Sequence, residues 1–307
     1  MGGVLTGFVG LGVVATLGYL LARWRALPDG ADAVLSRLTF YAATPALMIR
    51  TLAGADVTEV FSASAVVVIS TALILAAAYA VLARLLTRLR GADLTLGALT
   101  VSYVNAGNLG IPLLVFAVGD AATIAPVLLL QLLVMVPVGF SILDAQTGRG
   151  SVSRTQALTT PLRNPLVLSV LAGLVLAMTG VSLPAVVMMP IDLLADVAVP
   201  VMLVAFGFSL RGAPAPGRGD VRGPMWAAVA TRCLAGPVIA YLLAARVFGL
   251  TGDDLLAPVI VGALPTAQNI FVYAMRYGRA VPMVRDTILV STIVSVPVIV
   301  ALVALLG

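Results

Sequence analysis

Two polar stretches break apolar runs that otherwise read as membrane-spanning helices. The first, 105-NAGNLGIPL-113, lies in the run from Leu94 to Val118; the second, 265-PTAQN-269, lies in the run 255–275. They carry Asn105, Gly107, Asn108, Gly110 and Pro112 in one, and Pro265, Thr266, Gln268 and Asn269 in the other. None of these side chains does covalent chemistry at neutral pH; together they can bind. Lipid supplies no hydrogen bonds, so an unwound backbone survives only inside protein or beside a water-filled cavity. Proline is tolerated at the first position of a helix, where its missing N–H has no partner to lose, so half-helices are expected over 112–118 and 265–275. Each helix start carries about half a positive charge. Two such starts aimed at one midplane, with amide side chains between them and glycines allowing close approach, suit an anion without a buried cation. The alternative is a pair of kinks whose asparagines bond to neighbouring helices.

Few other polar residues fall inside apolar runs. Asp192 and Asp196 stand at i and i+4 on one helix face near the outer end of their segment, and are candidates for proton or ion coupling, since intramembrane carboxylates are costly. Arg232 either attracts an anion or snorkels to the interface, and Gln131 either lines a site or bonds a freed carbonyl. The chain has no histidine and one cysteine, Cys233, which removes histidine relays, zinc-protease ligand pairs, serine–histidine catalysis and an intrachain disulfide. An aspartyl protease needs facing aspartates on separate helices, whereas Asp192 and Asp196 share one. No catalytic residue, metal or cofactor is expected, and coupling to H⁺ or Na⁺ is left open. A channel or receptor remains the alternative to a transporter.

These residues must be held by membrane helices. Of 307 residues, 61% are hydrophobic and 10% charged, against about 25% charged in soluble domains. Ten spans are expected, at 4–22, 34–53, 61–86, 94–118, 122–143, 165–181, 187–210, 225–248, 255–275 and 286–306; a cleavable signal peptide is not evident. All eighteen basic residues are arginine. Five alternate connections carry three arginines each, and the opposite side only Arg50 and Arg246. The positive-inside rule then puts both termini outside, in the cell's inner (plasma) membrane. The net charge of +5 follows this topology and does not call for nucleic acid.

Prolines recur at matching places. Pro28 and Pro184 are 156 residues apart, Pro45 and Pro200 155, and Pro137 and Pro297 160. With broken segments four and nine also matching, the chain reads as two five-helix repeats, 1–148 and 149–307. An odd number of spans per repeat makes them inverted, a common transporter construction. The fold class is therefore an all-α polytopic membrane protein with ten transmembrane helices in a 5+5 inverted repeat and two broken, crossing helices.

The segments NAGNLGIPLL and ALPTAQNIFVYAMRYG resemble the paired signatures of the auxin efflux carrier family, N-x-G-x-x-G-x-P in the fourth span and P-T-A-Q-N in the ninth. Asn105, Gly107, Gly110 and Pro112 match the first, and Pro265, Thr266, Ala267, Gln268 and Asn269 the second. The resemblance implies an architecture like the bile-acid sodium symporters and the NhaA antiporter: a scaffold of spans 1, 2, 6 and 7, and a transport domain of spans 3–5 and 8–10. It implies transport of small organic anions, malate and malonate among bacterial members and auxin among plant members. The long cytoplasmic loop of many plant members is missing here, so auxin and kinase regulation are not carried over. The expected partners are a small organic anion and the lipid bilayer, with a homodimer left open; a sodium-coupled symporter of a larger anion such as a bile acid is the alternative.

Overall fold

Apolar segments without a polar partner for the backbone must fold as helices in lipid. The computed structural model is accordingly helical, and describes residues 2–53, 62–87, 89–118, 123–148, 165–213, 215–218 and 221–306; the side chains of 2–8, 11, 108, 111, 112, 115, 116, 125, 167 and 170 lie outside the description. In chain order the helices are α1 (Gly2–Arg23), α2 (31–53), α3 (Ala63–Leu86), α4 (Gly91–Ser102), α5 (106–118), α6 (124–146), α7 (Pro165–Thr179), α8 (Ala185–Ser209), α9 (Arg222–Val247), α10 (Asp253–Ala263), α11 (Asn269–Tyr277) and α12 (Val281–Leu306). Each expected span coincides with a helix or, for the two broken ones, with the pairs α4/α5 and α10/α11. Among the described residues five helices are long and apolar enough to cross a membrane: Ala63–Leu86, Pro126–Gln146, Ala185–Ser209, Arg222–Val247 and Val281–Leu306. The connection between α6 and α7 is described only as far as 148.

Boundaries follow local chemistry. The Ser62 hydroxyl caps α3 by accepting from the Ala65 N–H at 3.0 Å. Gly278, at φ 64°, ends α11 in the left-handed conformation that a side chain resists. Five π turns interrupt the helices among the described residues, and four of them, 39–43, 106–110, 130–135 and 231–235, end two residues before Pro45, Pro112, Pro137 and Pro237. A proline ring clashes with the carbonyl four residues back and offers it no N–H, and a widened turn relieves both. This corrects the expectation for Pro112: it does not start a half-helix but sits inside one that begins at Ala106. Pro265 likewise lies before its half-helix, in an extended segment, and α11 starts at Asn269.

Two groups of helices are joined mainly within themselves, and α1 also packs on α5, α7 on α6 and α11 on α2. α8 packs on α1 and on α2, and α2 on α7, while α3, α4, α9, α10 and α12 pack among themselves. In the first group α1 and α8 meet so closely that a Cβ on Gly207 would strike the Ala15 carbonyl oxygen and one on Gly18 the Val204 carbonyl oxygen. The second group surrounds the two breaks.

Candidate functional site: a crossing of two broken helices and the cavity beside it

Each break leaves carbonyls without the N–H four residues ahead, and these must be satisfied internally. The two breaks satisfy one another. Val104 and Thr266 form an antiparallel bridge, in which the Asn105 N–H donates to the Pro265 carbonyl at 2.9 Å and the Ala267 N–H to the Tyr103 carbonyl at 3.0 Å. Because the Asn105 N–H is turned to Pro265, the Val101 carbonyl loses its helical donor. Because the Thr266 N–H donates to Ser291 Oγ at 3.3 Å, the Gly262 carbonyl loses its own. Arg232 takes both: Nη1 donates to the Val101 oxygen at 2.9 Å and Nη2 donates to the Gly262 oxygen. Gly236 makes the room, since a Cβ there would strike the Gly262 oxygen and approach Arg232 Nη2 to 2.8 Å. Thr266 Oγ1 donates to the orphaned Thr100 carbonyl at 2.7 Å, and Gln131 Nε2 to the Val104 carbonyl at 2.9 Å. Asn105 Nδ2 donates to Gln268 Oε1 at 3.0 Å, tying the breaks through their side chains.

Beside this crossing lies a cavity of about 340 Å³. Asn105, Gly107, Gln131 and Asn269 line one wall, with Tyr103. The opposite wall comes from α2 and α8 and includes Met48, Arg50, Thr51 and Asp196. Gly107 meets nothing within 4 Å of a built Cβ, so it opens into the cavity rather than serving a close helix approach. Gly110 is a packing position against Ile124 and Leu264.

The remaining expected site residues fall elsewhere. Pro265, Thr266 and Gln268 belong to the bonding of the crossing, Thr266 being fully buried, and none of them lines the cavity. The side chains of Asn108 and Pro112 lie outside the described residues. Arg232 neither snorkels nor faces the cavity: it is 1% exposed and engaged by two carbonyls. Its burial is intelligible, because two helix C-termini bring partial negative charge to one point.

Arg50 was not singled out for the site from the sequence. Its Nη1 lies 2.6 Å from Asp196 Oδ1 and 4.0 Å from Asp192 Oδ1, so one cation serves both carboxylates of α8. A signal was available: Arg50 is one of two arginines on the arginine-poor side, and its segment is the one whose proline spacing pairs it with the segment carrying Asp192 and Asp196. Among the described residues no group of histidine, cysteine, aspartate and glutamate could hold a metal ion.

The family described as "Membrane transport protein", that of the auxin efflux carriers, matches residues 4–303. The chain belongs to this family. It is a multi-pass membrane transporter, and the family is one of transporters rather than enzymes. A Rhizobium meliloti (strain 1021) protein named for malonate transport is 28% identical over 298 residues, covering 94% of this chain and 92% of the relative. An Oryza sativa subsp. japonica protein named for auxin efflux (carrier component 5c) is 35% identical over 79 residues, 26% of this chain and 21% of that one.

Proposed function

We propose that this transporter carries a small organic anion, a carboxylate of the malonate type, and binds it in the cavity beside the crossing. The reading takes the chain as ten spans in two inverted repeats of five, with both termini outside the inner membrane. α1, α2, α7 and α8 form the scaffold, and the other helices form an elevator-type transport domain that exposes the cavity to each side in turn. One observation carries it: amide groups of both breaks meet, across about 340 Å³, a wall containing the Arg50 guanidinium. That volume is at the lower end of the roughly 300–1,000 Å³ of small-molecule sites, which fits a small dicarboxylate with some water and not a bile acid. The relative named for malonate transport, aligned over nearly the whole chain, supports the same class.

Within this reading Arg50 and Asp196 supply a coupling device. An entering carboxylate competes with Asp196 for the guanidinium, and a proton on Asp196 removes the competitor. Proton symport follows, with sodium held by unwound carbonyls as the other route. Replacing Asp196→Asn is expected to flatten the pH dependence of uptake; an unchanged dependence refutes the proton route.

The binding reading is tested by thermal denaturation of the detergent-purified protein with malonate and related dicarboxylates, their neutral esters, and amines. A ligand at a hundred times its Kd adds about 2.7 kcal/mol of stability. Dicarboxylates alone are expected to stabilise, and Asn269→Ala to weaken the effect. Stabilisation by amines or esters alone overturns the reading.

A further inference from the structure

A second cavity, of about 330 Å³, lies between α2 and α11 toward the arginine-rich end. Its lining includes Ser36, Arg37, Phe40 and Tyr41 from α2, with Arg276 and Tyr277 from the end of α11. It contains two guanidiniums and no carboxylate among its described lining residues. The Arg276 guanidinium sits over the rings of Phe40 and Tyr41, 5.2 and 5.3 Å from their centroids. Stacking uses the face of a guanidinium and a carboxylate binds its edge, so the two are compatible. Ser36 supplies an independent sign. Hydroxyls in these helices usually donate to a carbonyl one turn back, as Thr39 does to Leu35 at 2.9 Å. The Ser36 hydroxyl is buried, with 3% of the residue exposed, and has no hydrogen-bond partner among the described residues. A buried unpaired hydroxyl is costly unless something else satisfies it.

The two cavities stand at opposite ends of a continuous aromatic contact. Tyr103, which lines the first, meets the Tyr273 ring edge-on at 6.2 Å; Tyr273 meets Phe140 at 4.8 Å; Phe140 meets Phe40, which lines the second, at 5.6 Å. α2 and α11 each contribute to both cavities.

We propose that the second cavity is a carboxylate subsite. It holds the transported anion on the arginine-rich side, between Arg37, Arg276 and the Ser36 hydroxyl, after it leaves or before it enters the crossing. The proposal rests on the carboxylate-transport reading. Its test uses the full-length protein in membrane vesicles of both orientations, with labelled malonate as the probe and KM measured at each face. Arg37→Gln is expected to raise KM at the arginine-rich face about five- to tenfold, the weight of one partly exposed charge-assisted hydrogen bond. KM at the other face stays unchanged, Arg37→Lys recovers most of the loss, and Ser36→Ala gives a smaller rise at the same face. If wild type carries malonate and Arg37→Gln shifts KM equally at both faces or at neither, the subsite is refuted and the transport reading stands. If wild type carries no carboxylate, the transport reading itself fails. If the Arg37→Gln effect disappears in reconstituted vesicles of phosphatidylcholine alone, the cavity serves an anionic lipid headgroup, and the subsite is again overturned. Thermal denaturation of each variant separates these outcomes from misfolding.

Discussion

Replacing Arg232→Met tests whether the crossing depends on one guanidinium for its integrity. Arg232 donates to the carbonyls of Val101 and Gly262, both orphaned by the breaks. Methionine preserves much of the stem volume and removes both donors. Each carbonyl left unpaired in a water-free interior costs about 1–3 kcal/mol, so the loss is about 2–6 kcal/mol before relief is counted. Relief exists, because a buried guanidinium carries a desolvation penalty and its Nε has no partner among the described residues. A net destabilisation of about 2–4 kcal/mol is therefore expected. Arg232→Lys keeps the charge, yet one ammonium lacks the fork that reaches two carbonyls on different helices; it should fall between wild type and the methionine variant. The assay is denaturation in detergent combined with amide hydrogen exchange. Protection should fall first in the segments 99–107 and 262–270, whose backbone bonds are those of the bridge. A methionine variant as stable as wild type, with unchanged exchange there, refutes the argument and returns Arg232 to a role in anion attraction.

Further outcomes follow from the same geometry. Gly236→Ala places a methyl against the Gly262 oxygen and Arg232 Nη2; overpacking of this kind costs about 1–3 kcal/mol, and denaturation should show a loss that Arg232→Met does not add to fully. Gly107→Leu meets open space, so thermal stability should hold within about 0.5 kcal/mol while malonate stabilisation disappears; retained binding excludes the first cavity. Gly207→Leu would drive a side chain into the Ala15 carbonyl of α1, and loss of folded yield is expected by size-exclusion chromatography. Asp93→Asn removes the partner of Arg279, whose guanidinium this carboxylate holds further above its usual range. With that pair at the surface, the change in stability at neutral pH should stay below about 1 kcal/mol; a larger one refutes its assignment as a surface tie.

The breaks were legible in sequence because their composition opposes their surroundings. Asparagine, glycine and proline in an apolar run have no role in a simple span, and their recurrence in two places gave the crossing. What each residue does there was less legible. Thr266 and Gln268 look like binding groups in a list, yet they serve carbonyls and amides that become unpaired only once the breaks are placed against each other. The bonding of Arg232 was hidden for the same reason: no sequence pattern says that the carbonyls of Val101 and Gly262 meet at one point. Arg50 was hidden by its position. Near a helix end it read as a topological exception, and only the packing of α2 on α8 puts it beside Asp196. The π turns had a regular cue, a proline two residues beyond each of four, but proline alone predicts a kink and not its form.

On the proposed elevator motion, contacts within one helix group persist and contacts between groups must change. The Arg50–Asp196 pair joins α2 to α8, both in the scaffold, so sliding does not stretch it. The pair can stay fixed as a wall against which the crossing moves. The crossing bonds, from Asn105 to Pro265 and from Arg232 to both helix ends, lie wholly in the other group and travel as a unit. The contacts between groups at the arginine-rich end are of another kind. Arg276 over Phe40 and Tyr41 and the edge-on contact of Phe40 with Phe140 are ring contacts without a fixed hydrogen-bond register. Such contacts contribute about 0.5–1.5 kcal/mol each and tolerate displacement, whereas a shared hydrogen-bond ladder would have to break before anything moved. The division of labour follows from the chemistry: directional bonds hold each group together, and soft aromatic surfaces separate the two cavities along the path between them.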